Sequence, residues 1–175
     1  LQQGLVPNFA RWADFRAGSE VPNAARESVD NELDEVTEYV FEVIQNSNFG
    51  QEVHESFLDL AVGTGVLSVQ EGDAINPIMF SAVPLPHIVL DSGPDDRIDH
   101  VYRERQVRAS DVPLMYKKPT LGKLADKIQR DPEGKVKILE IVHRDYSVKN
   151  DEAYIFVAIN CTHKEIIKKE NYRGV

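Results

Sequence analysis

Cysteine is nearly absent: Cys161 stands alone in 175 residues. A single thiol permits no disulfide within the chain, so nothing in the sequence points to an oxidising compartment. No apolar run approaches the ~20 residues that a membrane-spanning helix requires. Basic side chains are scarce at the start. Residues 1–62 hold three Arg against twelve Asp or Glu, whereas residues 63–175 hold seventeen of each sign, so the net charge of −9 belongs to the N-terminal third. An acidic surface does not hold DNA by neutralising phosphates. It suits a solvated helix face, a basic partner, or the wall of a passage to which DNA must not stick. The chain opens on Leu1 without Met and no signal-peptide pattern follows, which reads as a piece of a longer protein.

The usual catalytic and ligand-binding patterns are also missing. His54, His87, His100, His143 and His163 fall at spacings that match no metal pattern, and His54-Glu55 lacks the second His of HExxH because position 58 is Leu. Cys161 and His163 share a predicted turn with no second pair nearby, and no helix start is there to activate the thiol. "DSGPDD" has the oxygen ligands that calcium takes but not the EF-hand spacing. There is no Gly-x-Ser-x-Gly elbow. Asn160-Cys161-Thr162 fits the glycosylation pattern only formally. An enzyme would need a site assembled from His54, Asp59 and Asp91, and nothing in their spacing favours one. No catalytic, cofactor-binding or metal-binding residue is therefore expected.

What is present is a regular alternation of periodicities. Residues 1–22 read as irregular, punctuated by Pro7, Gly18 and Pro22, with Trp12 and Phe15 needing somewhere to dock. From Asn23 to Gln45, Val29, Leu33, Val36, Val40 and Ile44 recur on one face of a 3.6-residue period. Asn48 with Gln51 forms a capping-box pattern for a second helix, whose buried stripe is Phe49, Val53, Phe57, Leu60 and Ala61. The link between the helices is short enough to predict an antiparallel hairpin.

"DLAVGTGVLSV" (Asp59–Val69) follows. A phosphate loop runs strand, glycines, helix, so that the positive helix N-terminus faces the anion. Here the order is helix, Gly63-Thr64-Gly65, strand, and Gly-Lys-Ser/Thr is missing. The stretch reads as a structural hinge: Gly63 as the left-handed residue ending the helix, Gly65 letting strand and helix backbones approach.

Strands are expected at Thr64–Gln70, Ile78–Val83, His87–Leu90 and Ile98–Arg108, an antiparallel meander of about four. Ser110 is placed to cap a short turn through Met115, and Thr120 a helix with Leu121, Leu124, Ala125 and Ile128 on one face. Strands at Lys135–Tyr146 and Ala153–Asn160 come next, and Glu165–Lys169 completes a hairpin through "CTHK". Arg103, Arg105 and Arg108 read as the charged exposed face of an edge strand, with nucleic-acid contact by them and by the basic residues of 164–173 as the other reading. The fold class is α+β: an N-terminal antiparallel helix hairpin packed on an antiparallel β-meander, short helices, then a C-terminal β-hairpin region. Residues 1–22 form the irregular segment and 23–175 a single domain.

Three blocks, in order, resemble the head-to-tail connecting, or portal, proteins of short-tailed, T7-like phages. "VPNFARWADFR" (6–16) is similar to the family's N-terminal segment. "LDEVTEYVFEVIQNSNFGQEVHESFLDLAVGTGVLSVQEGD" (33–73) resembles its most recognisable block, and "FSAVPLPHIVLDSGPDDRIDHVYRERQVRASDV" (80–112) the next. "LMYKKPTLGKLADKI" (114–128) departs from the longer helix the family implies there. The resemblance implies a wing-like fragment of a larger, non-enzymatic structural subunit. That subunit would form a homo-oligomeric ring at the portal vertex of the virion, assembled in the bacterial host cytoplasm. Its partners would be terminase, scaffold and tail proteins, with double-stranded DNA passing without sequence recognition, no membrane and no cofactor. Trp12, Phe15, Glu35 and Glu38 are the residues placed at a subunit contact. On the residues alone, an α+β module that binds a protein partner stays open beside this reading.

Overall fold

A computed structural model describes residue 6, residues 10–148 and residues 153–173. The chain divides into two compact units, Leu1–Leu85 and Pro86–Val175. The α+β class expected from the sequence is what the chain adopts, with helices first and antiparallel strands after them.

Unit 1 begins with an extended strap at residues 10–18, then helix α1 (Asn23–Asn46) and helix α2 (Phe49–Leu60). A two-stranded ribbon follows, β1 (Leu67–Glu71) against β2 (Ile78–Ala82), with Val69 opposite Phe80. The expected apolar stripe of α1 is rotated. Thr37 and Phe41 are its buried residues, while Val36 stays 48% exposed. The strap is the cause: it lies along the Thr37 side and brings its own polar backbone, which favours a hydroxyl beneath it. Pro7 lies outside the described residues. On α2 the buried residues are Val53 and Ser56, whereas Leu60 and Ala61 are exposed.

Unit 2 is a five-stranded antiparallel sheet in sequential order: β3 (Ile88–Ser92), β4 (Ile98–Arg108), β5 (Lys135–Arg144), β6 (Ala153–Asn160) and β7 (Glu165–Arg173). The four strands read as one meander are thus shared between two sheets, because β1 and β2 pair only with each other. Between β4 and β5 the chain makes a 3-10 turn (Ala109–Asp111) and the short helices α3 (Val112–Met115) and α4 (Leu124–Arg130). These cover one end of the sheet. Ala109, Val112, Tyr116 and Leu124 close over Val136, Ile138, Ala158 and Ile167 in one continuous core.

Thr120 does not cap α4. Its N–H donates to the Ile167 carbonyl oxygen at 2.7 Å, Gly122 turns with φ +50°, and the helix starts only at Leu124. β7 runs four residues past the expected Lys169, held by pairing with β6 as far as Ala153–Arg173. Nor is β4 an edge strand: it pairs with β3 on one side and β5 on the other.

Candidate functional site

The strap is built onto α1 by alternating polar and aromatic contacts. Arg11 pairs with Asp34 at 2.6 Å, the Phe15 N–H donates to Thr37 Oγ1 at 3.2 Å, and the Ala17 N–H donates to Asp30 Oδ1 at 2.7 Å. The Arg26 guanidinium donates to the Gly18 and Val21 carbonyls. From Trp12 at Phe41 through Phe15 at Thr37 and Ala17 at Asp30 to Gly18 at Arg26, strap numbering rises as helix numbering falls, so the segment runs antiparallel to α1, with the long Arg11 side chain reaching ahead to Asp34. Trp12 is its anchor, edge-on to Phe41 at 5.2 Å and stacked on Phe49 at 6.0 Å, and Phe49 meets Phe80 at 4.9 Å. Aromatic pairs of this geometry each add about 1 kcal/mol beyond their buried area. Trp12 and Phe15 nevertheless remain 41% and 49% exposed. Among the other residues placed at a subunit contact, Glu35 and Glu38 are exposed on α1.

The second helix is a clamp on the ribbon. In an antiparallel pair, alternate residues turn N–H and C=O away from the partner strand. Phe80 and Ala82 are such residues on β2, and α2 supplies their partners. Asn48 accepts from the Phe80 N–H at 3.0 Å through Oδ1 and donates to the Phe80 carbonyl at 2.7 Å through Nδ2. Glu52 accepts from the Ala82 N–H at 2.6 Å, and Asp59 from the Leu85 N–H at 3.0 Å. This overturns the capping box: Asn48 is engaged by β2, its side chain makes no cap bond, and Ser47 Oγ accepts from the Phe49 N–H instead. Sequence reasoning passes over Glu52 and gives Asn48 and Asp59 other roles, a helix cap and a member of a catalytic set. Their spacing at the start and along one helix is legible in the sequence; the backbone they meet is not.

Gly63-Thr64-Gly65 lies between α2 and β1. Gly63 is not left-handed, since Gly122 is the glycine with positive φ among the described residues. The helix ends instead in tightened turns, with Val62 and Gly63 both donating to the Asp59 carbonyl. Gly65 passes so near α2 that a Cβ there would stand 2.5 Å from the Ser56 carbonyl oxygen. That approach explains why Ser56, rather than a larger apolar residue, is buried on the helix.

In unit 2 two clusters of charge are paired within the sheet. Arg103 and Arg105 project from β4 to Glu140 on β5, at 3.9 and 3.4 Å, and Tyr116 donates to Glu140 Oε1 at 2.7 Å. These arginines therefore do not form the exposed face expected of them. Burial first, and the Glu140 charge second, hold the Tyr116 phenol far above its usual range. Burial, with Arg105 beside it, lowers Arg103 against the pull of Glu140. A second cluster surrounds buried Asp99, which accepts from the Tyr146 hydroxyl and faces Arg144 at 3.7 Å. The bond to Asp99, helped by burial, pushes Tyr146 up to about 12.

The groups weighed for catalysis are scattered. His54 is exposed on α2 and Asp59 is bonded to Leu85, both in unit 1, while Asp91 is exposed on β3 in unit 2. His100 and His143 stand opposite each other across β4 and β5, with ring centroids 6.3 Å apart. No group of three His, Cys, Asp or Glu among the described residues is placed to hold a metal. Asn160 is 1% exposed, so the formal glycosylation pattern presents its Asn to the core. No helix among the described residues is long and apolar enough to cross a membrane.

The chain belongs to the bacteriophage head to tail connecting protein family, whose model matches residues 1–172. Comparison with curated proteins gives no match. Membership makes the chain a non-enzymatic structural component of the phage particle that assembles with other head and tail proteins.

Proposed function

We propose that this chain is the wing-like part of a portal subunit, truncated from a longer protein of the T7-like type, with residues 23–175 as its wing. Copies form a ring at one capsid vertex, through which double-stranded DNA is packaged and ejected without sequence recognition. Terminase, scaffold and tail proteins meet the ring, which forms in the host cytoplasm and remains in the virion. The observation that carries this reading is the connector-family match across residues 1–172. The charge agrees with it: unit 1 holds three cationic against fourteen acidic side chains, a surface to which passing DNA does not adhere. Gly63-Thr64-Gly65 acts as the hinge joining α2 to the ribbon, and the exposed sides of Trp12, Phe15, Glu35 and Glu38 are offered to neighbouring subunits.

The test is the mass and shape of the full-length gene product, by light scattering and negative-stain microscopy. A ring with a central channel supports the portal reading. A product that stays monomeric even with scaffold protein present rejects it and leaves a non-enzymatic α+β module that binds a protein partner.

A further inference from the structure

The side of α1 away from the strap carries Glu32, Glu35, Tyr39, Glu42 and Val43. Tyr39 is 66% exposed, with Glu35 four residues before it and Glu42 three after, so the acids flank the ring. The strap uses Asp30 and Asp34, whereas Glu32, Glu35, Glu38 and Glu42 form no ion pair among the described residues. Like charges three and four apart each weaken a helix by about 0.2–0.5 kcal/mol, so stability of the isolated helix does not account for them. Beside Tyr39 a cleft of about 160 Å³ opens between α1 and the ribbon turn, walled by Val43, Ile75 and Pro77 with Glu42 at its rim. Ile75 there is 87% exposed. An aromatic face, an apolar wall and a carboxylate together fit a long basic side chain: stem on the wall, cation over the ring and against the acid.

The complementary surface lies in the same sequence. Every lysine of the chain falls at residue 117 or later, and unit 2 holds seventeen cationic against fifteen acidic side chains. Lys123 just before α4 and Arg130 at its end line one surface hollow with His163, Asp126 and the Lys127–Asp131 pair, and Lys164 follows His163 in the β6–β7 turn; Lys123, Arg130 and Lys164 are exposed and form no ion pair among the described residues. Two copies of unit 1 repel each other, so a self-matching contact through it is disfavoured and a head-to-tail one is favoured. We infer that the Tyr39 cleft of one copy receives the Lys123–Arg130–Lys164 corner of the next copy of this chain. This inference rests on the ring reading above and names its contact.

A charge exchange tests it on the full-length product. One variant carries Glu35→Lys and Glu42→Lys, the other Lys123→Glu, Arg130→Glu and Lys164→Glu. All five positions are exposed, and circular dichroism checks that each variant is folded. Each variant alone brings like charges together at every contact. Its assembly midpoint rises about tenfold or more, and raising salt from about 0.05 to 0.5 M relieves the defect by screening. Mixed in equal amounts, the two restore opposite charges at every contact of an alternating ring, and assembly returns. Either variant assembling alone like the wild type, or a mixture that gains nothing, overturns this contact while the ring stands. A mixture rescued only by another head or tail protein assigns the cleft to that protein and likewise overturns the inference. A wild-type product that never assembles removes the ring reading itself.

Discussion

Unit 2 keeps its backbone hydrogen bonds within a continuous sheet, whereas unit 1 hands several of them to side chains. The five strands of unit 2 pair in sequential order and leave only β3 and β7 as edges. Their apolar residues close under α3 and α4 in a single core. Unit 1 has no such continuous core among its described residues. Its ribbon is held by Asn48 and Glu52, the chain just beyond it by Asp59 at Leu85, and its strap by Asp30, Asp34, Thr37 and the Trp12 ring. Stability in unit 2 therefore depends on buried volume, and in unit 1 on individual polar bonds and one aromatic cluster. A small number of residues can consequently dismantle unit 1 piece by piece, while unit 2 yields as a whole.

The largest effect is expected in the core. Leu124 is fully buried, and Leu124→Ala should cost about 2–5 kcal/mol through lost burial and the cavity left behind. Urea unfolding followed by hydrogen exchange should show protection falling across β5, β6 and β7 together, which a local response would contradict. Next comes the clamp. Asn48→Ala leaves the Phe80 N–H and C=O without their partner, a loss of about 2 kcal/mol for partly buried groups. Exchange should speed up at Phe80 while the unit 2 amides stay slow. Equal loss in both units would contradict the difference between them.

Trp12→Ala should cost about 1–2 kcal/mol, since the ring is half exposed. Trypsin should then cleave after Arg11 and Arg16 faster than in the parent, with α1 still folded. Because Trp12 is the only tryptophan, its fluorescence in the parent reports strap docking directly.

The smallest effects are in titration. Hydrogen bonds from the Asn76 and Ile75 N–H groups hold the exposed Asp73 carboxyl below its usual range. A depressed folded value means support for the β1–β2 turn that is complete above the ordinary Asp range and is lost as pH falls through the lowered value. Carboxyl chemical shifts should show Asp73 protonating later than an unfolded Asp, and Asp73→Ala should remove that delay. Tyr146 behaves in the opposite sense. Its phenol is pushed up to about 12, so the stabilising Asp99 bond is intact below the ordinary tyrosine range and fails as pH rises through the raised value. Tyrosinate absorbance should lose one late-ionising group in Tyr146→Phe.

Periodicity by itself determined the element order. The two helices, the ribbon and the strand pairs across "EGDAIN" and "SGPDDR" are local, because a run of a few residues contains the whole signal. The sequence by itself also determined the reversed order around Gly63-Thr64-Gly65 and the acidic first third, and its motif blocks carried the connector resemblance. Only the tertiary structure decided which face of α1 is buried, since the strap that covers Thr37 lies 22 residues away from it. It decided that Asn48 serves β2 rather than its own helix end, because the outward amides of β2 exist only once the ribbon has paired. It turned Arg103 and Arg105 inward, because whether β4 is an edge depends on β5 arriving from more than 30 residues downstream. Polar side chains are ambiguous in a sequence for this reason: a pattern fixes where they stand along an element, but the partner that satisfies them is supplied by another.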